Sequence, residues 1–391
     1  MMYASRWAQV WLAVGLLWFL AGIALAPSNK IYQQGLIAFL WLPTLVLGWS
    51  AREQFGRLWA QQRALCMSVL MLLGWGLVSL SWAVGEEPIR EGKRLFYIIL
   101  FLLAFPLLAS AGTQRFLLLM QWGGIGLGLA AAISIVHFYG VLGRPWVVRL
   151  QGIGEISHPI LGAYVVGAAI VWMLHWMPQQ RWMQLLWALS VVCLGAFVML
   201  GQSRGAALAL LLTVVAMPLW CRDRRSRVLA AGALIISVLG FLMVYRLIVL
   251  RGVSYRPEIF NSALQMIADH PWLGLGLGTQ FKVVANGIAF DHSHNMFTHI
   301  GIELGVPGLL LWAAVWLLVL REGWRARDTL LGKGLIGLWL FCTLAMQFDA
   351  ASLTGTPRAE WFISWLPVGL ASVLVWARAQ SAGCDKIDRS T

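Results

Sequence analysis

The sequence predicts an all-α polytopic membrane protein with about twelve transmembrane helices. Three observations support this fold class. The 391-residue chain is 60% hydrophobic and 12% charged, with a mean hydropathy of +0.76, which no soluble globular domain of this length matches. Its apolar runs are continuous and do not alternate as the strands of a β-barrel would. Its 40 glycines and 23 tryptophans suit helix contacts and membrane interfaces.

The apolar runs, each roughly 17–25 residues long, divide a single integral membrane domain (1–391) into predicted spans. The run 205–220 is short and follows closely on 183–200, so this pair is the weakest of the set. The first run has no small-residue cleavage site and suits a first span better than a signal peptide. The predicted spans lie near 8–26, 34–50, 64–84, 95–111, 116–141, 159–177, 183–200, 205–220, 228–249, 295–320, 334–350 and 361–377.

The basic residues predict the orientation of the chain. Of the 29 lysines and arginines, 17 fall in one set of loops, which the positive-inside rule makes cytoplasmic together with both termini. The net charge of +13 therefore indicates topology and no nucleic-acid partner. The opposite face, periplasmic in a Gram-negative cell, carries the longest connection, 250–294, between the ninth and tenth spans. The five cysteines lie in spans or on the cytoplasmic side, without a CxxC motif, so none is expected to stabilise this loop.

Arg204 lies in the turn GQSRGAALA, between two apolar runs and on the outer side. The turn is too short for an ordinary solvated loop, and an arginine there costs a few kcal/mol unless it meets water, an acid or a phosphate. One interpretation is an arginine that extends to the membrane interface. The other is an anion ligand, because the guanidinium group matches the geometry of phosphate oxygens.

The outer loop is predicted to contain an amphipathic helix that begins at Pro257 and ends near Asp269, before His270-Pro271. We expect this helix to lie on the outer leaflet, with Arg256 at its N-terminus, where an anion is also favoured. The glycines of the following GLGLG stretch are interpreted as loop flexibility. The apolar positions of the helix are Ile259, Phe260, Ala263, Leu264 and Ile267, with Glu258, Ser262, Gln265 and Asp269 opposite.

The stretch DHSHNMFTHIGIELGVPG (291–308) opens the next apolar run. If the helix begins near His294, then Thr298, Gly301, Gly305 and Gly308 continue its stripe and allow a neighbouring helix to approach closely. The positive end of the helix dipole disfavours imidazolium at His294, and a neutral imidazole is what a general base requires. Asp291 could orient it. Pro307 is expected to loosen the helix near Glu303, which could pair with His299 one turn away.

Two other interpretations of this stretch remain open. A metal site would use His292, His294, His299 and Asp291, although no further Cys/His pair follows at ligand spacing. Alternatively, the histidines are simply the polar end of a helix. His158, which precedes Pro159 at another helix start, is expected to act as a cap.

These residues resemble the pattern of the O-antigen ligases, within the wider O-antigen ligase and polymerase superfamily. The family pattern H-[NSQ]-x9-G-x-x-[GTY] is met by His294-Asn295, Gly305 and Gly308 without departure. The SRG turn at Arg204, and the stretch from Arg256 through Phe260 to HPWLGLG, are two further similarities. Their order and the predicted topology extend the resemblance over nearly the whole chain.

The resemblance implies a metal-independent glycosyltransferase of the GT-C type, without a cofactor, in the bacterial inner membrane. The implied donor is an O-antigen chain on undecaprenyl pyrophosphate, and the implied acceptor is the lipid A-core oligosaccharide. His294 would be the base, and Arg204 and Arg256 would bind and neutralise the pyrophosphate. Asn295 would assist substrate binding, with Asp291, Gly305 and Gly308 in support.

Related activities share parts of this pattern. An O-antigen polymerase or a protein O-oligosaccharyltransferase would use the same donor and a different acceptor. A transporter of lipid-linked sugars would place ionisable residues along a path through the membrane, whereas here they cluster at one face.

Overall fold

The computed structural model describes residues 6–85, 87–250 and 255–388, and within them the chain is almost entirely helical. Wide π turns interrupt α1, α2 and α5. In chain order the elements are α1 (Trp7–Leu25), α2 (Asn29–Gly48), α3 (Arg52–Ser79), α4 (Pro88–Ser110), α5 (Thr113–Val141), α6 (Pro159–His175), α7 (Arg181–Leu200), α8 (Arg204–Leu219), α9 (Arg224–Leu250), α10 (Arg256–Asp269), β1 (Val283–Ala285), β2 (Ile288–Phe290), α11 (Met296–Arg325), α12 (Leu330–Ala345), α13 (Ala359–Ile363) and α14 (Trp365–Asp388).

Seven helices in the described part of the chain are long and apolar enough to cross a membrane, namely α1 to α5, α7 and α11. The chain is thus a helical, multi-pass membrane protein. Four further predicted spans coincide with shorter apolar helices, α6, α8, α12 and the first part of α14. The predicted span 228–249 falls on α9, where the side chains of 241–250 lie outside the described residues.

Local chemistry sets where the helices begin. Four side chains at helix starts, Ser28, His158, Asn295 and Thr329, accept hydrogen bonds from backbone N–H groups of the first turn. Such caps satisfy donors that have no partner within the helix. The cap at His158 confirms its prediction. Prolines occupy the first turn of α4, α6 and α10, where the missing N–H costs nothing.

Fully buried aromatic side chains occupy the interior between the helices. Among the described residues, six tryptophans are at most 2% exposed, although tryptophan is a residue usually associated with membrane interfaces. Several of their indole N–H groups donate to backbone carbonyls, as that of Trp172 does to Met120 and that of Trp365 to Leu353. The abundance of tryptophan therefore reflects packing as well as interface contacts.

The outer loop departs from the prediction in two respects. It contains an antiparallel hairpin, β1 with β2, so the described chain is not purely α-helical. The helix α10 has nearly the predicted bounds, but its apolar face packs against protein. Ile259 and Ala263 are buried with Val283 of the hairpin and Ile302 of α11, whereas Phe260 and Leu264 remain exposed and are the residues able to contact lipid.

Candidate active site

The start of α11 is joined to the end of α12 and the loop that follows it by three hydrogen bonds. The backbone N–H of Met296 donates to the carbonyl of Met346 at 2.9 Å. The Asn295 amide donates to Oε1 of Gln347 at 2.8 Å. Nδ1 of His294 then lies 2.9 Å from Oδ1 of Asp349. The pairing of the two chain segments therefore determines which acid faces His294.

Asn295 is the N-cap of α11 and Met296 is its first residue, so the helix begins close to His294, as predicted. The Asn295 side-chain oxygen accepts from the N–H groups of Phe297 and Thr298, at 2.9 and 3.2 Å. Together with the Gln347 bond, these contacts use the buried amide internally. These contacts give Asn295 a structural role at the helix start, and its predicted role in substrate binding stays a prediction.

His294 has a backbone φ of +51°, in the left-handed region that few residues other than glycine adopt. This conformation turns its side chain out of the helical stripe predicted for it. Strained backbone of this kind persists only where surrounding contacts enforce it, and it occurs often at functional sites. Here the Asn295 cap on one side and Asp349 on the other provide those contacts.

Asp349 receives two imidazoles on one carboxylate oxygen. His294 approaches at 2.9 Å and His292 at 3.4 Å, with the two rings 3.9 Å apart between centroids. Burial alone would raise the pKa of Asp349, but the hydrogen bonds from His292 and His294 hold it well below its ordinary value. Asp349 is therefore a buried carboxylate that stays ionised at neutral pH.

The two histidines differ in how many carboxylates they meet. Nδ1 of His294 must carry the proton, since an ionised carboxylate only accepts, and this leaves the Nε2 lone pair available as a base. His292 faces Asp349 through Nε2 and Asp291 through Nδ1, the latter at 2.7 Å. The hydrogen bond to Asp349, opposed by burial and assisted by Asp291, raises the pKa of His292. His292 is thus the residue of the pair that favours a positive charge.

The predicted partner of His294 was wrong, because Asp291 contacts His292 and Asp349 contacts His294. The set of residues that could bind a metal also differs from the predicted set. One ligand atom from each of His292, His294 and Asp349 lies within 4.8 Å of the others, so these residue types could hold a cation. A cation there would have to displace the proton between Nδ1 of His294 and the carboxylate. His299 lies apart from this group, with its Nε2 3.6 Å from Glu303, the pair expected from their spacing.

Both arginine-bearing segments reach the residue before Asp349. Nη1 of Arg256, at the first position of α10, donates to the carbonyl oxygen of Phe348. Gly205 packs against the same residue, since a Cβ at Gly205 would lie 2.8 Å from Cβ of Phe348. Arg204 is exposed at the first position of α8, directly before this contact. The structure therefore brings Arg256, His294 and the segment that carries Arg204 together around residues 348 and 349.

The helix α11 is broken at Gly305, where φ is +66°. The break lies two residues before Pro307, close to the predicted loosening near Glu303. Loop 270–278 fills the gap. The N–H groups of Leu275 and Gly276 donate to the carbonyls of Ile302 and Glu303, both at 2.8 Å. The N–H of Val306 donates to the carbonyl of Pro271, and the indole of Trp75 donates to Leu304.

The motif glycines have structural roles that differ from the predicted helix seam. A Cβ at Gly305 would lie 2.8 Å from the carbonyl oxygen of Pro271, and one at Gly308 would lie 2.2 Å from Cβ of Leu304. Gly305 therefore accommodates the loop rather than a neighbouring helix. The glycines of GLGLG were wrongly interpreted as flexibility, because Gly274, Gly276 and Gly278 all have positive φ in a hydrogen-bonded segment.

Asp349 is the site residue that sequence reasoning missed. The sequence feature that could have indicated Asp349 was an acidic residue at the end of a predicted span. Nothing in the residue spacing linked it to His294, 55 positions away.

The fold and this cluster define a class: a multi-pass membrane protein with a buried acid–histidine pair, and two arginine-bearing segments, at one end of its helices. Comparison with known proteins is consistent with this class. A family model described as O-antigen ligase matches residues 189–313. The chain is also 28% identical over 325 residues to an O-antigen ligase of Pseudomonas aeruginosa, covering 81% of this chain and 79% of that protein. The chain is thus similar to O-antigen ligases over most of its length, and this similarity indicates an enzyme of the glycosyltransferase type.

Proposed function

We propose that this protein is a lipopolysaccharide O-antigen ligase, which transfers O-antigen polysaccharide from undecaprenyl pyrophosphate to the lipid A-core oligosaccharide. The observation that carries the proposal is the contact of His294 with the ionised Asp349. It fixes the tautomer of His294 with the proton on Nδ1 and the lone pair on Nε2. Similarity to O-antigen ligases supports polysaccharide and lipid substrates, and both would meet at the membrane surface.

In this mechanism Nε2 of His294 takes the proton of an acceptor hydroxyl. The hydroxyl oxygen attacks C1 of the first O-antigen sugar as the bond between C1 and the pyrophosphate oxygen breaks. Undecaprenyl pyrophosphate leaves with that electron pair, and His294 afterwards releases its proton to water. A single displacement inverts the configuration at C1.

Arg256 and Arg204 are assigned to the charge that develops on the leaving pyrophosphate. The guanidinium of Arg256 uses one donor on the Phe348 carbonyl, and within the described part of the chain its other four N–H groups are left for further contacts. Charge-assisted hydrogen bonds from arginine to phosphate are strong, and they supply charge neutralisation without a metal ion. Metal independence is part of the proposal.

The proposal includes the architecture that the site requires. The protein would be a GT-C-type enzyme of the bacterial inner membrane with twelve spans and cytoplasmic termini. The connection 250–294 would face the periplasm, and the acid–histidine pair would lie at the outer end of α11 and α12. The excess of basic residues in the opposite loops supports this orientation.

The test is an assay of the purified protein in lipid nanodiscs, with an undecaprenyl pyrophosphate-linked O-antigen and lipid A-core. We expect His294→Ala to lower kcat about 10²- to 10⁴-fold, because the general base is lost. Asp349→Asn should lower it about 10²-fold or more, since the amide no longer enforces the tautomer. His137→Ala, at an exposed histidine of α5, is the matched control and should retain full activity.

Activity should not change when EDTA is added. Ligation that survives His294→Ala would contradict the base, and strict dependence on an added divalent ion would favour a metal site at His292, His294 and Asp349. Extension of the donor glycan, or transfer to a protein acceptor in place of lipid A-core, would assign the chain to the polymerases or the protein O-oligosaccharyltransferases.

A further inference from the structure

The N-terminal part of α6 forms a further side of the candidate active site, which the sequence did not connect with it. His158, the exposed cap of this helix, lies within electrostatic range of Asp349, His292 and Arg149. Tyr164, fully buried on the same helix, is within electrostatic range of both Asp349 and Arg256. Among the described residues its hydroxyl has no hydrogen-bond partner. An unsatisfied buried hydroxyl is rare in folded proteins, so Tyr164 is a polar group near Asp349 and Arg256 whose hydrogen bond is still to be made.

The cap fixes the tautomer of His158. Its Nδ1 accepts a hydrogen bond from the backbone N–H of Leu161 at 3.2 Å, and a nitrogen that accepts cannot carry a proton. Burial lowers the pKa of His158; Asp349 opposes this effect, and Arg149 and His292 add to it, so the pKa lies below its ordinary value. The imidazole is therefore neutral at physiological pH, with its single proton on Nε2 and directed away from the helix backbone.

His158 and Arg149 meet at the turn that leads into Arg204. Nε of Arg149 donates to the carbonyl oxygen of Gly201 at 3.1 Å. A Cβ at Gly201 would lie 3.5 Å from the carbonyl oxygen of Pro159, the residue after His158. The start of α6 thus lies close to two arginine-bearing segments, those of Arg149 and Arg204, which bring donors and positive charge near His158.

We propose that His158 is a substrate-binding residue, whose Nε2–H donates to a phosphate oxygen of the donor's pyrophosphate. A phosphate oxygen only accepts hydrogen bonds, and a neutral imidazole with a fixed tautomer offers one directed donor. The arginines would neutralise the charge of the pyrophosphate, and the hydrogen bond from His158 would orient it. This assignment rests on the proposed function, since it takes the lipid-linked pyrophosphate as the ligand of the site.

The test separates binding from capping. His158→Asn keeps a side-chain oxygen for the cap, because asparagine is among the strongest N-cap residues, but it removes the imidazole donor. We expect its Tm to stay within about 1 °C of the wild type, whereas His158→Ala should lower the Tm by about 2–4 °C. In both variants the KM for the donor should rise about 10- to 100-fold, the effect of losing one hydrogen bond to a charged group. The KM for lipid A-core should not change.

A binding measurement complements the kinetics. In the His294→Ala background, the Kd for undecaprenyl pyrophosphate should increase about tenfold or more when His158→Asn is added. His137→Asn on α5 is the matched control, because His137 has no contact with Asp349 or His292 within the described part of the chain.

Wild-type donor KM and Kd in His158→Asn would overturn the proposal and leave His158 as a cap only. An increase confined to the KM for lipid A-core would overturn it as well. If wild-type protein does not transfer glycan to lipid A-core, the proposed function fails. If wild type is active, His294→Ala is inactive and His158→Asn is unchanged, only the role of His158 fails.

Discussion

At the scale of residues, one carboxylate gives two adjacent histidines different chemistry. His294 meets a single carboxylate, Asp349, and keeps a lone pair on Nε2. His292 lies between Asp349 and Asp291, and both of its ring nitrogens face oxygen acceptors. Two nitrogens can donate at once only when the ring is protonated. With one carboxylate partner His294 is a candidate base, and with two carboxylate partners His292 is a candidate cation.

The raised pKa of His292 predicts a pH-dependent contribution to stability. A group whose pKa is higher in the fold stabilises it fully below its unfolded value, near 6.5, and loses this effect as the pH rises through the folded pKa. Asp349 stays ionised throughout that range, because its pKa is lowered. We expect His292→Gln to lower the Tm by about 2–4 °C at pH 6, and by less at pH 9, in thermal unfolding of detergent-purified protein.

His137→Gln serves as the control for His292→Gln, and its Tm offset from the wild type should be the same at both pH values. An offset of His292→Gln that grows between pH 6 and pH 9 would contradict the charged interaction with Asp291 and Asp349.

At the scale of elements, the broken helix α11 and the glycine loop 270–278 form one unit. The break at Gly305 frees carbonyls of Ile302, Glu303 and Leu304, and the loop and Trp75 supply their donors. In a membrane, backbone groups without partners cost several kcal/mol, so a broken helix persists only where the protein satisfies them. The Gly305 and Gly308 positions of the family pattern thus maintain the geometry that carries His294.

This unit predicts a large effect of adding one methyl group to the glycine loop. At Gly276, φ is +89° and a Cβ would lie 2.5 Å from the backbone Cα of Ala83. Gly276→Ala therefore adds a clash to the backbone strain, and we expect a loss of about 3 kcal/mol or more, with little folded protein recovered. The measurement is the yield of monodisperse protein in size-exclusion chromatography, together with its Tm.

Gly287→Ala is the matched control, because Gly287 also has a positive φ, +79°, but a Cβ there would meet nothing within 4 Å. It should cost only the strain, about 1 kcal/mol. Equal effects of the two substitutions would mean that the contact between Gly276 and Ala83 is unimportant.

At the scale of the whole molecule, segments distant in sequence converge at one end of the helices. Among the described residues, five segments lie around Phe348 and Asp349. They are the turn before α6, the turn before α8, the first residue of α10, the start of α11 and the loop after α12. By the distribution of basic residues, this end is predicted to be the periplasmic one.

The orientation predicts opposite labelling of two exposed positions. Ala289→Cys, in the hairpin, should react with a membrane-impermeant maleimide in spheroplasts. Asp328→Cys, between α11 and α12, should react only after the membrane is permeabilised. Wild-type protein sets the background, because Cys66 and Cys193 are half-buried and Cys221 and Cys342 are buried. Labelling of Asp328→Cys in intact spheroplasts would contradict the proposed topology.

The sequence by itself determined the helical membrane class and most helix positions, and it indicated His294, Arg204 and Arg256 as candidate site residues. These follow from local chemistry: the length of apolar runs, caps and prolines at helix starts, and charges whose burial requires a reason. The pairing of His299 with Glu303 was equally predictable, because four residues separate them on one helix.

Only the tertiary structure decided that Asp349, and not Asp291, orients His294, that Asn295 is a cap, and that the glycine loop repairs a broken helix. It also placed His158 beside the site. These contacts join residues far apart in the chain, and they depend on how helices pack and which loop pairs with which. The periodicity of the sequence does not show which distant residues lie close together in space. The residues that surround the proposed base are therefore known only from the packing of the helices.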